Sequence, residues 1–189
     1  SIYQEKDLHI DDMDAEQRAQ VATAARCMAL GSILTILHPV HWLAGVLGFL
    51  LLALYAIRMR PLRPGFDRVQ LFASLCALVC LVLSSTVAAA LVCFALPVLE
   101  TLLVYAVWQA FGRMCADGTR RGRAALCATL LYTALMLSST LLGLSIFGGL
   151  QMPIYLIAQA MALAFHALGG ALLAVFLLIK RRKIKEVTP

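Results

Sequence analysis

Three long apolar blocks dominate the sequence and limit its possible folds more than any other feature. They run from Val21 to Ile57, from Val69 to Phe111 and from Ala124 to Ile179. Hydrophobic residues make up 62% of the 189 residues, whereas about half is usual in a globular protein. A soluble domain of this length could not bury so much apolar surface, but a lipid bilayer solvates it. The blocks therefore predict an integral membrane protein.

Each block is too long for one crossing. As a single helix, the first block would extend about 55 Å, well beyond a hydrocarbon core of about 30 Å. Proline interrupts every block, at Pro39, Pro97 and Pro153, and a proline within a helix removes a backbone hydrogen bond. We therefore expect an all-α, polytopic fold of six short transmembrane helices arranged as three hairpins. Their approximate ranges are 20–37, 41–58, 68–93, 97–115, 123–147 and 153–180.

The charges predict the orientation of these six helices. The 16 Lys and Arg residues fall into four clusters, at residues 6–26, 58–68, 113–123 and 180–185, with no basic residue in the stretches between them. The three expected turns within the blocks contain no charged residue. Because Lys and Arg concentrate in cytoplasmic loops, both termini are expected inside. The net charge of +6 is thus assigned to membrane topology, and nucleic-acid binding is not expected.

Polar segments flank the expected membrane domain of residues 20–180. Residues 1–19 form an acidic cytoplasmic segment, in which Asp12 or Asp14 is suited to cap the first helix. No apolar stretch typical of a secretory signal peptide occurs there. Residues 181–189 are expected to form a basic cytoplasmic tail. The expected location is the bacterial inner membrane.

Hairpins of this kind resemble a known family. Gly31 to Pro39, the turn at Pro97 and the turn from Gly148 to Pro153 resemble the HdeD-type acid-resistance membrane proteins of bacteria. That resemblance implies a small stress-related membrane protein without an established catalytic site. In size and number of spans alone, the chain is also similar to the substrate-binding subunits of energy-coupling-factor vitamin transporters. A short internal repeat, Leu83–Thr86 and Leu137–Thr140, is either a trace of hairpin duplication or a chance match.

Four polar residues in the apolar blocks are candidates for a ligand site or a proton pathway. Glu100 is the only acidic residue within these blocks, and an intramembrane carboxylate usually has a function. Alternatively, it lies near the outer end of its helix and reaches water there. Tyr155, Gln159 and His166 share one face of the sixth helix at helical spacing. Because the side chain of His titrates near neutral pH, this face suits proton transfer.

Helix packing is the alternative explanation for the sixth span. Small residues recur there every four positions, and small residues allow transmembrane helices to approach closely. The second span has a comparable face, which is either a contact within the bundle or an exposed surface for another subunit. The residues assigned to packing are Ala44, Gly48, Ala162 and Gly170.

No metal site and no cofactor are expected. His38 and His41 flank the first turn, but two ligands do not make a metal site, and both are interpreted as interfacial residues beside Trp42. The six cysteines form no CxxC motif and are interpreted as reduced packing residues.

Three functions remain open. The first is the non-enzymatic handling of a small molecule or ion, by transport or in a stress response. The second is an accessory or scaffold role, with other membrane subunits or further copies of the chain as partners besides the bilayer. The third is a membrane enzyme, although the sequence lacks HExxH, GxSxG and phosphate-loop motifs.

The expected topology can be tested by labelling. In a cysteine-free background, single cysteines at positions 40, 95 and 150 should react with an impermeant thiol reagent applied from outside. Cysteines at positions 64 and 119 should react only after the membrane is opened. Labelling of position 64 from outside would contradict the six-pass arrangement.

Overall fold

Helices account for nearly all of the chain that the structure describes. The structure is a computed structural model, and it describes residues 8–82, 89–114, 119–143 and 148–186. No β-strand occurs in those ranges, so the expected all-α class is confirmed. Besides a 3-10 turn at Ile10–Asp12, they form six helices: α1 (Ala15–Ile36), α2 (Trp42–Met59), α3 (Phe66–Val82), α4 (Ala89–Gly112), α5 (Thr119–Gly143) and α6 (Met152–Glu186).

Five of the helices in the described ranges are long and apolar enough to cross a membrane. The five segments are Ala15–Ile36, Trp42–Met59, Phe94–Gly112, Arg120–Gly143 and Met152–Glu186. Large apolar side chains point outward around the bundle. Leu30, Leu47, Leu78, Leu130 and Leu156, each on a different helix, are about half exposed. So much exposed apolar surface is unfavourable in water and favourable in lipid, which is consistent with an integral membrane protein.

The predicted turn at residues 94–97 is wrong. Pro97 lies inside α4, which begins at Ala89, so residues 94–97 are helical. A proline is tolerated within a membrane helix when neighbouring groups satisfy the local backbone. The carbonyl of Pro97 accepts hydrogen bonds from the hydroxyls of Thr101 and Thr133, both at 3.0 Å. The first copy of the proposed repeat, Leu83–Thr86, lies outside the described residues.

Both flanking segments contain regular structure within the described residues. Asp14 caps α1 and forms a capping box with Gln17, which confirms one of the two predicted caps. Within the N-terminal segment, Ile10 is buried and its amide donates to the carbonyl of Met114 at 3.2 Å. At the other end, α6 continues to Glu186, so residues 181–186 extend the last helix and do not form a separate tail.

The six helices form a closed ring. Each helix packs against the next along the chain, and α1 packs against α6 to complete the circle. Because neighbouring helices in the ring are also neighbours in sequence, short connections suffice throughout. Side chains that point inward from different helices meet at the centre of the ring, where the polar cluster described below is located.

Small residues bring neighbouring helices close together. A Cβ atom added to Gly48 would lie 2.7 Å from the carbonyl oxygen of Gly31 across the α1–α2 contact. One added to Gly170 would lie 2.6 Å from Cγ1 of Ile36 across the α1–α6 contact. Ala162 is fully buried, whereas Ala44 is half-buried. These positions are consistent with the predicted packing roles, since the backbones can approach only where a side chain is missing.

A pair of glycine substitutions tests the α1–α2 contact. We expect Gly48→Ala to destabilise the protein by about 1–3 kcal/mol, because the new methyl group would overlap the α1 backbone. Gly112→Ala is the matched control, since none of the described residues lies within 4 Å of its added Cβ. Helix propensity should make that change neutral or stabilising by up to about 1 kcal/mol. Denaturant unfolding in one detergent measures both, and equal effects would contradict the close contact.

Candidate functional site

Glu100 is buried at the centre of the helix ring. Its side chain is only 5% exposed, so the interpretation that it reaches water at a helix end is wrong. The reason is the earlier start of α4 at Ala89, which places Glu100 three turns into the helix rather than one. A charged carboxylate at such a position is unfavourable unless neighbouring groups compensate its charge.

His38 provides the first compensating contact. Its Nε2 atom lies 2.8 Å from Oε1 of Glu100, and both side chains are buried. His38 follows the last residues of α1 in a hydrogen-bonded turn, and Pro39 then prevents the helix from continuing. This turn places the imidazole of His38 beside the carboxylate of Glu100.

His166 provides the second contact, from α6. Its Nε2 atom lies 3.1 Å from the carbonyl oxygen of Thr35, which can only accept a hydrogen bond, so Nε2 carries a proton. In the neutral ring, Nδ1 therefore presents a lone pair. This Nδ1 atom lies 3.4 Å from Oε2 of Glu100. Two lone pairs facing each other repel, so a proton on Nδ1 or a cation between the two atoms is favoured.

Oε2 of Glu100 and Oγ of Ser32 are buried and have no hydrogen-bond partner within the described residues. Both side chains line the same internal cavity, which has a volume of about 30 Å³ and also borders Thr35 and His166. That volume accommodates one or two water molecules or a monatomic ion. It is far too small for an organic substrate, whose pockets are usually about 300 Å³ or larger.

All six helices contribute to the surroundings of Glu100. Tyr132 of α5 packs its ring 4.8 Å from the ring of His166, and the two histidine rings lie 4.3 Å apart. Phe49 of α2 lies beside His38. Cys76 and Cys80 of α3 are close enough to interact electrostatically with Glu100. A change in charge at Glu100 would therefore alter the electrostatic environment of side chains from all six helices.

The four predicted site residues do not all meet. Glu100 and His166 are in contact, as the hypothesis required. Gln159 instead donates to the hydroxyl of Ser139 at 2.5 Å, and Tyr155 packs against Gly143. Both lie between His166 and the start of α6, about 10 Å or more from His166 along the helix. Their part in a pathway stays a prediction.

His38 was missed as a site residue. It is 7% exposed, so its interpretation as an interfacial residue is wrong, whereas His41 is exposed and stacks on Trp42 as expected. The available signal was its place before Pro39, near the middle of the first apolar block. With His38 included, the donor atoms of His38, Glu100 and His166 lie within 4.8 Å of one another. The described structure therefore brings together three potential metal ligands.

A second, larger cavity lies away from Glu100. It measures about 570 Å³ and is lined by Arg63, Arg68 and Arg113 together with apolar residues of α3 and α4. Basic pockets between membrane helices suit anionic lipid head groups. It shares no lining residue with the cavity beside Glu100, so the two features are separate.

Comparison with known proteins adds no relative. No family model, no curated protein and no solved structure matches the chain. The function is therefore inferred from the geometry around Glu100.

A substitution at His38 tests the buried contact. We expect His38→Ala to lower the free energy of unfolding by about 3–5 kcal/mol, because it leaves the Glu100 carboxylate with one compensating partner fewer. His41→Ala is the comparison. That side chain is exposed and accepts from the amide of Leu43, so its loss should cost about 1 kcal/mol, as for other helix caps. Equal losses in the same detergent would contradict a buried ionic contact at His38.

Proposed function

We propose that this chain is a non-enzymatic membrane protein that transports a proton or a monatomic cation through its Glu100 centre. In this proposal six helices cross the membrane, and both termini are in the cytoplasm. The single observation that carries the proposal is the Glu100 carboxylate, buried between two histidines beside a cavity of about 30 Å³. The cavity size excludes larger cargo in this conformation.

The chemistry of the centre suits a proton or cation that binds and leaves again. Glu100 and the two histidines are titratable, and histidine changes its charge near neutral pH. The repulsive contact between Nδ1 of His166 and Oε2 of Glu100 is relieved when a positive charge enters it. An acid-stress role, which the resemblance to the HdeD-type proteins implies, would use the same exchange.

Polar groups on α5 and α6 support a route from the centre towards the turn that precedes α6. Gln159 and Ser139 form a hydrogen bond there. The hydroxyl of Thr140 is buried without a hydrogen-bond partner among the described residues. Tyr155 follows one turn closer to the start of α6. In the proposal, Tyr155 and Gln159 lead protons or water to His166.

The two alternative functions receive less support. A scaffold subunit would require the small-residue face of α2 to be exposed, but Gly45 and Gly48 are buried against other parts of the same chain. An enzyme requires catalytic groups within hydrogen-bond reach, and His38 and Glu100 meet that condition. The adjoining cavity, however, has no room for an organic substrate.

Ion flux in reconstituted vesicles tests the proposal. Purified protein in liposomes containing a pH-sensitive dye should respond to an imposed gradient of protons, Na⁺, K⁺ or Zn²⁺. We expect Glu100→Gln to reduce the flux at least about tenfold, because the amide keeps the shape but cannot hold the exchanged charge. Its stability should change by less than about 1 kcal/mol, since the amide retains hydrogen bonding to His38.

Glu186→Gln is the matched control. Glu186 undergoes the same chemical change, but it is exposed near the end of α6 and paired with Arg182. Its flux should equal that of the unmodified protein. The proposal would be overturned if the unmodified protein gave no flux under any gradient, or if Glu100→Gln gave full flux.

A further inference from the structure

We infer that His38, Glu100 and His166 bind one divalent transition-metal ion, of the zinc class, in exchange for protons. The inference deepens the proposed function by naming the cation, and it therefore rests on the same centre. Binding can nevertheless be measured without transport, so the two statements can fail separately.

The three donor atoms have suitable spacing for a metal. Zinc bonds to nitrogen and oxygen of about 2.0–2.1 Å place tetrahedral ligands about 3.3 Å apart. Nδ1 of His166 and Oε2 of Glu100 are already 3.4 Å apart. Nε2 of His38 and Oε1 of Glu100 are 2.8 Å apart, so that contact must widen by about 0.5 Å. These two contacts involve different oxygens of Glu100. The donor atoms of the three residues all lie within 4.8 Å of one another, so the more widely spaced donors must move together by up to about 1.5 Å to share one ion.

The contacts behind His166 are typical of a metal ligand. A histidine that binds a metal through one ring nitrogen usually donates its other N–H group to a carbonyl or carboxylate, which fixes the ring. Thr35 supplies that carbonyl to Nε2 at 3.1 Å and leaves Nδ1 directed at Glu100.

The ligand types decide which cation is favoured. Two imidazoles and one carboxylate suit Zn²⁺ and its transition-metal neighbours, whereas Mg²⁺, Ca²⁺ and the alkali ions prefer oxygen ligands alone. Three protein ligands leave a fourth position for water. The cavity beside Oε2 of Glu100 has room for that water.

Charge balance explains the exchange with protons. Zn²⁺ binds only to ring nitrogens that carry no proton. A proton held on a nitrogen that faces Glu100 must therefore leave the centre or, on His38, move to the other ring nitrogen when the metal binds. A zinc-bound water that loses its own proton would leave the centre neutral again.

Zinc titration of the purified protein tests the inference. In detergent at neutral pH, the unmodified chain should bind one Zn²⁺ per polypeptide, with proton release measured by calorimetry in buffers of different ionisation enthalpy. Co²⁺ should bind with the visible absorption of a tetrahedral site. An excess of Mg²⁺ should not compete. His38→Gln, Glu100→Gln and His166→Gln should each weaken Zn²⁺ binding by about 100-fold or more.

The controls separate the site from other ligands in the chain. His41→Gln and the double variant Cys76→Ser/Cys80→Ser should keep the stoichiometry and affinity. Glu100→Asp, which retains a carboxylate, should bind more tightly than Glu100→Gln. Thermal unfolding verifies that each variant is folded.

The outcomes distinguish the proposed metal site from the proposed transport function. Failure of the unmodified protein to bind Zn²⁺, or binding by all three ligand variants as tight as that of the unmodified protein, would overturn the metal site. If proton flux still depended on Glu100 in that case, the proposed function would stand with a proton as its cargo. Tight, Glu100-dependent Zn²⁺ binding without any flux would support the metal site and overturn the transport proposal.

Discussion

The burial of one carboxylate in an apolar helix bundle is the constraint on which the rest of the structure depends. Glu100 is buried in the described structure, so its charge must be compensated from within the bundle. His38 supplies one compensating group from the end of α1, and His166 supplies the other from α6. These two contacts join the three helices electrostatically. The positions of the chain breaks then determine whether the three side chains can meet.

Small residues make that meeting possible. Gly31 and Gly48 bring α1 and α2 together, and Gly170 brings α6 onto α1, so the ring closes tightly enough for the rings of His38 and His166 to approach to 4.3 Å. Gly45 leaves room for both His38 and Cys80, because a Cβ atom there would lie within 3 Å of each. The packing residues and the functional candidates thus belong to one arrangement. On α6, helix packing and a functional role of His166 are therefore compatible and not competing explanations.

The all-α, membrane-like fold could be predicted from the sequence, because long apolar stretches reflect the surrounding solvent and not the details of packing. The centre could be predicted only in part. Glu100 and His166 are conspicuous as polar residues in apolar blocks. His38 lies beside a proline, and an expected turn at the membrane interface is enough to explain a histidine there. The proline rule also misplaced the turn at Pro97. Threonine hydroxyls from α4 and α5 stabilise the backbone there, and such tertiary contacts are not visible in local sequence.

The order of the helices around the ring has a consequence for biosynthesis. Glu100 enters the membrane with α4, after α1 has delivered His38 but before α6 exists. The insertion machinery therefore receives a carboxylate whose first partner is already present, which lowers the penalty of placing it in lipid. His166 arrives last and completes both the α1–α6 seam and the polar centre. A chain that ends before α6 would contain Glu100 with one of its two histidine partners, in a ring that is not closed. Quality-control proteases could distinguish such an incomplete molecule from the complete one by its open bundle.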